Sequence, residues 1–440
     1  MTPDLNAADP SDRATPACPH FGPCGGCQLQ HLAYPAQLAQ KAAHLGKLLA
    51  AAGLQLPELQ LHPSPPLAYR NRIRLTLAER ARQVQAGYLT QLAADNPQAA
   101  PSFLPITQCP IAAPILWSAT QALLQLLNER APLWIECAPF TLDQLELFTT
   151  ADESQLQISL FVRTSAKHLP TKFDPAFADL CDALRAAVPA LTGAGMALLP
   201  PRSARSRRAE TSRPGPTWGS PGLTYTVAPS ANLPPDVVIL TLSTAQGKNP
   251  RISPLLLPQL ATNNPQPATS FWVPRGAFFQ VNRFLLPELV SVVAASHAGN
   301  LAWDLYAGVG LFTKALAPRF QRITAVEVAE PSFTALTSNK VSNRQAVKDT
   351  TLDFLSHAVT DRDRPDLIVL DPPRSGAGRE VCELLGRIAA PTLVYVSCSP
   401  DTLPADLATL TAAGYTLAAL HLFDLFPQTT HIETVAILTR

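Results

Sequence analysis

The sequence predicts an α/β protein with a doubly wound, Rossmann-like sheet at the C-terminus, a mixed α+β central domain and an N-terminal cysteine knuckle. Three observations carry that reading. From about residue 276 the chain alternates strand-like and helical segments, as in "LAWDLYAGVGLFTKALA", "ITAVEVAEPSFTALTSNK", "DLIVLDPPRSG" and "TLVYVSCSP", the pattern of a parallel sheet wound on both faces. Between about 60 and 275, short β-like runs such as "RIRLTL", "LQISLFVRT" and "LTYTVA" are separated by Pro-rich connections. Before them, Cys18, Cys24 and Cys27 crowd into "CPHFGPCGGC".

At 440 residues the chain is too long for one core. The expected division is a disordered, polar tail over 1–17, a knuckle and helix over 18–59, the central domain over 60–275 and the doubly wound domain over 276–440. A hydrophobic fraction of 47% with 15% charged residues excludes a disordered chain. No run of roughly 18 apolar residues would span a bilayer, and the first residues lack a signal peptide's basic and apolar regions, so a cytoplasmic protein with no membrane partner is expected. The net charge of +1 leaves nucleic-acid binding to local patches. One candidate is the stretch containing Arg202, Arg205, Arg207, Arg208 and Arg213; it reads equally as a solvated loop. In a reducing compartment, eight cysteines suggest metal or catalysis before disulfides.

Within the C-terminal domain, "DLYAGVGLF" sets Gly308 and Gly310 in a tight turn between a strand and a helix beginning near Leu311. The next strand ends in Glu327, where a carboxylate can accept both ribose hydroxyls of an adenosine-bearing cofactor, although any strand can end in an acid. Thr313 stands where a third glycine would complete a dinucleotide fingerprint, so S-adenosylmethionine fits better than a nicotinamide cofactor. Asp371 precedes two prolines that keep the backbone extended; a cap or turn is the competing reading. Leu393–Val396 reads as a buried strand stopped by Pro400, which leaves Cys398 at a strand's carboxyl end, where open α/β sheets bind ligands. Taken alone, that cysteine reads as a small buried hydrophobe.

These motifs together resemble the bacterial RNA uracil-5-methyltransferases. The ordered set is "FFQVN", "DLYAGVG", "AVEV", "LDPPR", "VYVSCSP" and "HIETVAIL", with "CGGCQLQH" similar to the iron–sulfur knuckle of members acting mainly on 23S rRNA. Apart from "YRNRIRLTL" and "ITQCPI", the central domain resembles them little. The resemblance implies a class I methyltransferase domain in which Cys398 adds to C6 of uracil and Glu433 later removes the C5 proton. Gln280, Tyr306, Gly308, Gly310, Glu327 and Asp371 would hold S-adenosylmethionine. On its own Glu433 would read as a surface strand acid.

The resemblance also makes Cys109 the fourth ligand with Cys18, Cys24 and Cys27. Spacing alone slightly favours zinc, whereas the family implies a 4Fe–4S cluster. The implied substrate is single-stranded or flipped-out RNA, 23S rRNA ahead of tRNA, bound by a monomer. The competing function is a catalytically silent RNA-binding scaffold, which would need neither Cys398 nor Glu433. A cytosine-C5 enzyme usually has a second cysteine where this chain has "DPPR", and an amino-nitrogen enzyme an aromatic in place of Arg374. Two departures stand out. Ser399 replaces the family's common Asn, and the 17 residues before Cys18 leave no room for the small β-barrel RNA-binding module of some members.

Overall fold

The computed structural model describes residues 12–90, 102–129, 140–166, 173–201, 212–228, 239–241, 253–255, 268–294, 297–361 and 364–440. Arg202, Arg205, Arg207, Arg208 and Cys137 lie outside them, as does most of the tail over 1–17. In chain order the described strands are β1 (Leu59–His62), β2 (Arg72–Arg80), β3 (Gln83–Leu89), β4 (Phe103–Pro105), β5 (Phe140–Thr149), β6 (Leu156–Thr164), β7 (Leu191–Leu199), β8 (Arg213–Gly219), β9 (Gly222–Val227), β10 (Ile239–Thr241), β11 (Ser253–Leu255), β12 (Thr269–Pro274), β13 (Gly299–Leu305), β14 (Phe320–Val326), β15 (Arg344–Val347), β16 (Leu367–Leu370), β17 (Thr392–Ser397), β18 (Thr416–Phe423) and β19 (Glu433–Thr439). The helices are α1 (Tyr34–Ala51), α2 (Pro114–Glu129), α3 (Phe173–Ala187), α4 (Leu286–Ala294), α5 (Leu311–Leu316), α6 (Glu330–Ser338), α7 (Thr351–Ala358), α8 (Arg379–Ile388) and α9 (Leu403–Ala412).

The C-terminal sheet runs β11-β10-β1-β18-β19-β17-β16-β13-β14-β15. Strands β13 to β17 are mutually parallel, and β19 runs antiparallel between β17 and β18. Because β13 is covered on both faces, its side chains alternate between two cores: Leu301, Trp303 and Leu305 pack toward α7, α8 and α9, while Ala302 packs toward α4 and α5. The chain leaves β13 for β14 on one side and returns to β16 on the other. This reversal opens a crevice at the strands' carboxyl ends.

Segments from outside 276–440 complete this unit. Helix α1 buries Leu38, Ala42, Leu45 and Leu49, one face at helical spacing, against the same core as α8 and α9. Burial of each leucine contributes roughly 1.5–3 kcal/mol. Strand β1 pairs parallel with β18, and β12 of the β9–β12 ribbon packs against α5 and α6.

The central sheet runs β4-β3-β2-β5-β6-β7-β8. A right-length crossover through α3 joins parallel strands β6 and β7, and α2 and α3 cover one face over Ile73, Leu75, Leu145, Leu147, Ile158 and Leu160.

Candidate active site and thiol knuckle

At the end of β13 the backbone turns through left-handed conformations at Tyr306 (φ 61°), Gly308 (φ 56°) and Gly310 (φ 90°). A Cβ at Gly308 would meet nothing within 4 Å, whereas one at Gly310 would come within 2.8 Å of Leu336. Gly308 thus leaves room for a ligand and Gly310 lets the chain pass close to α6. Tyr306 adopts the same region with a full side chain, a strained choice of the kind concentrated at functional sites.

Glu327 follows β14 and accepts hydrogen bonds from the Gly308 N–H (2.9 Å) and the Ala329 N–H (2.6 Å). Each oxygen keeps lone-pair capacity for a further donor. With Tyr306, Val328, Asp349, Thr351 and the 373–381 segment, Glu327 lines a cavity of about 540 Å³. Gln280, Gly308, Gly310 and Asp371 are not among its lining residues. Gln280 is buried, and its backbone carbonyl accepts from Asn71 Nδ2. The far wall is held by Asp406, which accepts from the N–H groups of Ala377 and Gly378 and from the Tyr395 hydroxyl.

Cys398 sits half-buried one residue beyond β17. Strand pairing sets Ser397 against Thr434, so continuing the register by one step brings Cys398 opposite Glu433. On the other side Leu370 pairs with Tyr395, which brings Asp371 to the same edge. Glu433 is 2% exposed and its Oε1 has no hydrogen-bond partner. Burial, reinforced by Asp371 and opposed by Arg374, holds its carboxyl well above the usual range. Burial and Asp304 push Asp371 up to about 7. Burial, then Glu433 and Asp371, push the Cys398 thiol up to about 11, with Arg374 pulling the other way. Thiol and two carboxyl groups therefore share one small, low-dielectric space.

Sequence reasoning passed over several residues here. Asp304, the first residue of "DLYAGVG", is buried in β13, accepts from the Thr313 hydroxyl and is pushed up to about 7 by burial. An acid inside an otherwise apolar strand was its signal. Asp349 follows β15 as Glu327 follows β14, a repetition that pattern reading could have used. Asp406 carried no signal, since its partners come from a distant loop.

Cys18, Cys24, Cys27 and Cys109 converge on a second cavity of about 80 Å³, together with Arg70, Tyr88 and Gln30. Turns bring the first three together: the Phe21 N–H donates to Cys18 O and the Cys24 N–H to His20 O. Burial raises Cys24, Cys27 (to about 12) and Cys109, and the thiols raise one another, with Arg70 opposing at Cys27 and Cys109. Half-buried thiols that repel as anions are suited to a bound cation, so the residues fit a metal or cluster by donor chemistry. Among the described residues, no group of three or more His, Cys, Asp or Glu side chains is closed to metal-binding spacing. Cys181 and Cys382 are buried in the central and C-terminal cores.

The family model for tRNA (uracil-5-)-methyltransferase matches residues 265–440. Over 447 aligned residues the chain is 30% identical to the 23S rRNA (uracil(1939)-C(5))-methyltransferase RlmD of Shewanella denitrificans, covering 97% of this chain and 83% of that protein. This chain belongs to the RNA uracil-5-methyltransferase family. It is 28% identical over 433 residues to the enzyme of the same description from Chromohalobacter salexigens, covering 98% of this chain and 77% of that one. Its fold is shared with the Pyrococcus abyssi tRNA (uracil-54, C5)-methyltransferase in complex with S-adenosyl-L-homocysteine, at a TM-score of 0.63 and 20% identity over 95% of this chain and 86% of that one. The protein is thus an S-adenosylmethionine-dependent RNA uracil-5-methyltransferase. No helix among the described residues of this methyltransferase is long and apolar enough to cross a membrane.

Proposed function

We propose that the enzyme methylates C5 of a uridine in 23S rRNA through a covalent adduct at Cys398, with Glu433 as the base that resolves it. The observation carrying this reading is the β17–β19 register, which, continued by one step, sets a thiol against a buried carboxyl group with one unpartnered oxygen at the carboxyl edge of the sheet. The Cys398 thiolate adds to C6 and the C5=C6 electron pair moves onto the uracil, leaving C5 nucleophilic. C5 attacks the methyl group and the sulfonium departs as a neutral thioether. Glu433 then takes the C5 proton, the C5–H pair restores the double bond, and Cys398 leaves as thiolate. Asp371 is close enough to both groups to tune them.

Tyr306 and Glu327 are proposed to bind the methyl donor in the larger cavity, Glu327 through the ribose hydroxyls, while the open approach at Gly308 and the close packing at Gly310 shape its edge. Gln280 and Asp371 are proposed to act beside the transferred methyl. Cys18, Cys24, Cys27 and Cys109 would hold a 4Fe–4S cluster that ties the N-terminal segment to the central domain. The 23S rRNA target is favoured over tRNA because the two named relatives that match this chain over nearly its whole length act on 23S rRNA. A cytoplasmic monomer is the accompanying proposal.

Two variants test the chemistry. Cys398→Ala should bind RNA and S-adenosylmethionine yet give neither methylation nor a covalent complex. Glu433→Gln should accumulate protein joined to methylated RNA, a denaturation-resistant band carrying the cofactor's methyl label, with turnover reduced by roughly 10²–10⁴-fold. Normal turnover by Glu433→Gln, or an unlabelled adduct, overturns its role. Mapping 5-methyluridine in a deletion strain decides the RNA: loss from tRNA alone overturns the ribosomal target, and no loss from either favours the scaffold.

A further inference from the structure

The loop between β18 and β19 ends at Glu433, and almost everything that holds it comes from the other end of the chain. Lys41 on α1 forms a buried ion pair with Asp424 (2.6 Å) and donates to Phe426 O (3.0 Å). The Tyr69 hydroxyl donates to Pro427 O, and Asn282 Nδ2 to Leu425 O. Gln428 sits in the left-handed region (φ 68°), a conformation that a residue with a side chain keeps only when its surroundings enforce it. Two groups do so. Gln37 exchanges hydrogen bonds with it, Nε2 donating to Gln428 Oε1 (2.9 Å) and Oε1 accepting from the Gln428 N–H (3.0 Å). The other group is the thiol knuckle: the backbone N–H groups of Gln28 and Leu29 both donate to Gln428 O (3.0 Å each).

Gln28 is the hinge of this arrangement. It follows Cys27 directly, its Nε2 donates to Gly25 O inside the knuckle turn (2.7 Å), and its Oε1 accepts from the Thr430 N–H (3.4 Å). Thr430 lies three residues before Glu433. One side chain therefore spans from the interior of the cysteine turn to the approach of the proposed base. The adjoining segment is also sensed electrostatically from both sides, since His431 is depressed by burial, then by Arg374 of the catalytic edge and Arg70 of the thiol cavity.

We propose that Gln28 is a positioning residue for catalysis, linking the thiol knuckle to the 428–433 segment so that the folded knuckle aims Glu433 at the C5 proton. The proposal rests on the reading of Glu433 as the base. It predicts a selective defect. Adduct formation depends on Cys398, which hangs from β17 and α9 without this link, whereas resolution of the adduct depends on Glu433, which opens β19 directly after the linked segment.

The test uses the full-length protein purified without air, an RNA substrate and methyl-labelled S-adenosylmethionine in single turnover. In Gln28→Ala the labelled adduct should form at the wild-type rate and decay about 10²-fold more slowly, the scale of an ångström-sized misplacement. Affinity for S-adenosylhomocysteine should be unchanged. Because Gln28→Ala can also loosen the knuckle, Thr430→Pro is the second arm: it removes the N–H that Gln28 Oε1 accepts, leaves every knuckle residue in place, should keep the full metal content, and should show the same slow decay. Wild-type decay in both variants overturns the link. Slow decay accompanied by an equal loss of S-adenosylhomocysteine binding also overturns it, because that pattern marks general loosening of the domain. Glu433→Gln is run alongside: if it resolves its adduct normally the base assignment fails, and if it traps the adduct while Gln28→Ala and Thr430→Pro do not, only the link fails.

Discussion

In the knuckle, Cys24, Cys27 and Cys109 are raised by burial first and then by neighbouring thiols, Cys18 at Cys24, Cys109 and Cys24 at Cys27, and Cys18 and Cys24 at Cys109, while beside β17 Cys398 is raised by burial first and then by Glu433 and Asp371. Each site has one arginine working the other way, Arg70 half-buried among the thiols and Arg374 exposed beside the carboxylates. Burial therefore treats all these thiols alike, as it does Cys181 and Cys382, which have no proposed chemistry. What distinguishes the knuckle from the β17 edge is what stands nearby to be neutralised. Thiols that repel one another as anions fit the permanently held cation proposed for the knuckle. A thiol beside two carboxyl groups calls for a cation that arrives with substrate, and the methyl donor is itself a sulfonium.

Removing one thiol from the knuckle should have the largest effect. Cys109→Ala is expected to lose colour, about four irons per chain and soluble yield together, because binding energy at such sites, on the order of 10 kcal/mol for structural zinc, is folding energy. Stoichiometric zinc without iron in the anaerobic wild-type protein would replace the cluster with a zinc site and leave the contrast between the two thiol regions standing.

The catalytic region should respond to charge instead. With its thiol near 11, Cys398 should be alkylated by iodoacetamide about tenfold faster for each pH unit between 7 and 10, following the thiolate fraction. An ionised Glu433 opposes the thiolate, so Glu433→Gln should move this profile to lower pH. Arg374 favours the thiolate, so Arg374→Ala should move it to higher pH. Shifts of the same sign in both variants would mean that burial alone sets the reactivity of Cys398.

The smallest effect belongs to a thiol buried in the core of the central sheet. Cys181→Ala, in the core with Phe177 and Leu184, should cost about 1 kcal/mol in chemical denaturation and leave iron content and methylation rate as in the wild type. A change in either activity or metal content would break the distinction between structural and chemical thiols.

Much of the catalytic domain was legible because its information is local. Gly308 and Gly310 mark a turn that only small residues pass easily, Pro400 stops the strand before Cys398, and alternating apolar runs announce β13 to β17. Helix α1 was legible as a helix and not as part of the catalytic unit, since an amphipathic pattern specifies which face is buried and not against what. Likewise "LQLH" gave no sign that it would pair with β18, a strand from the far end of the chain.

The sequence by itself determined the doubly wound unit, the strand-end placement of Cys398 and Glu327, and the crowding of three cysteines, all set by backbone preference and apolar spacing over a few residues. The tertiary structure alone decided that Cys398 faces Glu433, that Cys109 joins the other three thiols, and that Gln28 reaches Thr430. Those meetings depend on strand register and on long-range packing, and a register is chosen by the whole sheet: a slip of one residue would move every side chain of β19 to the opposite face and into the other core, a cost no local segment can sense.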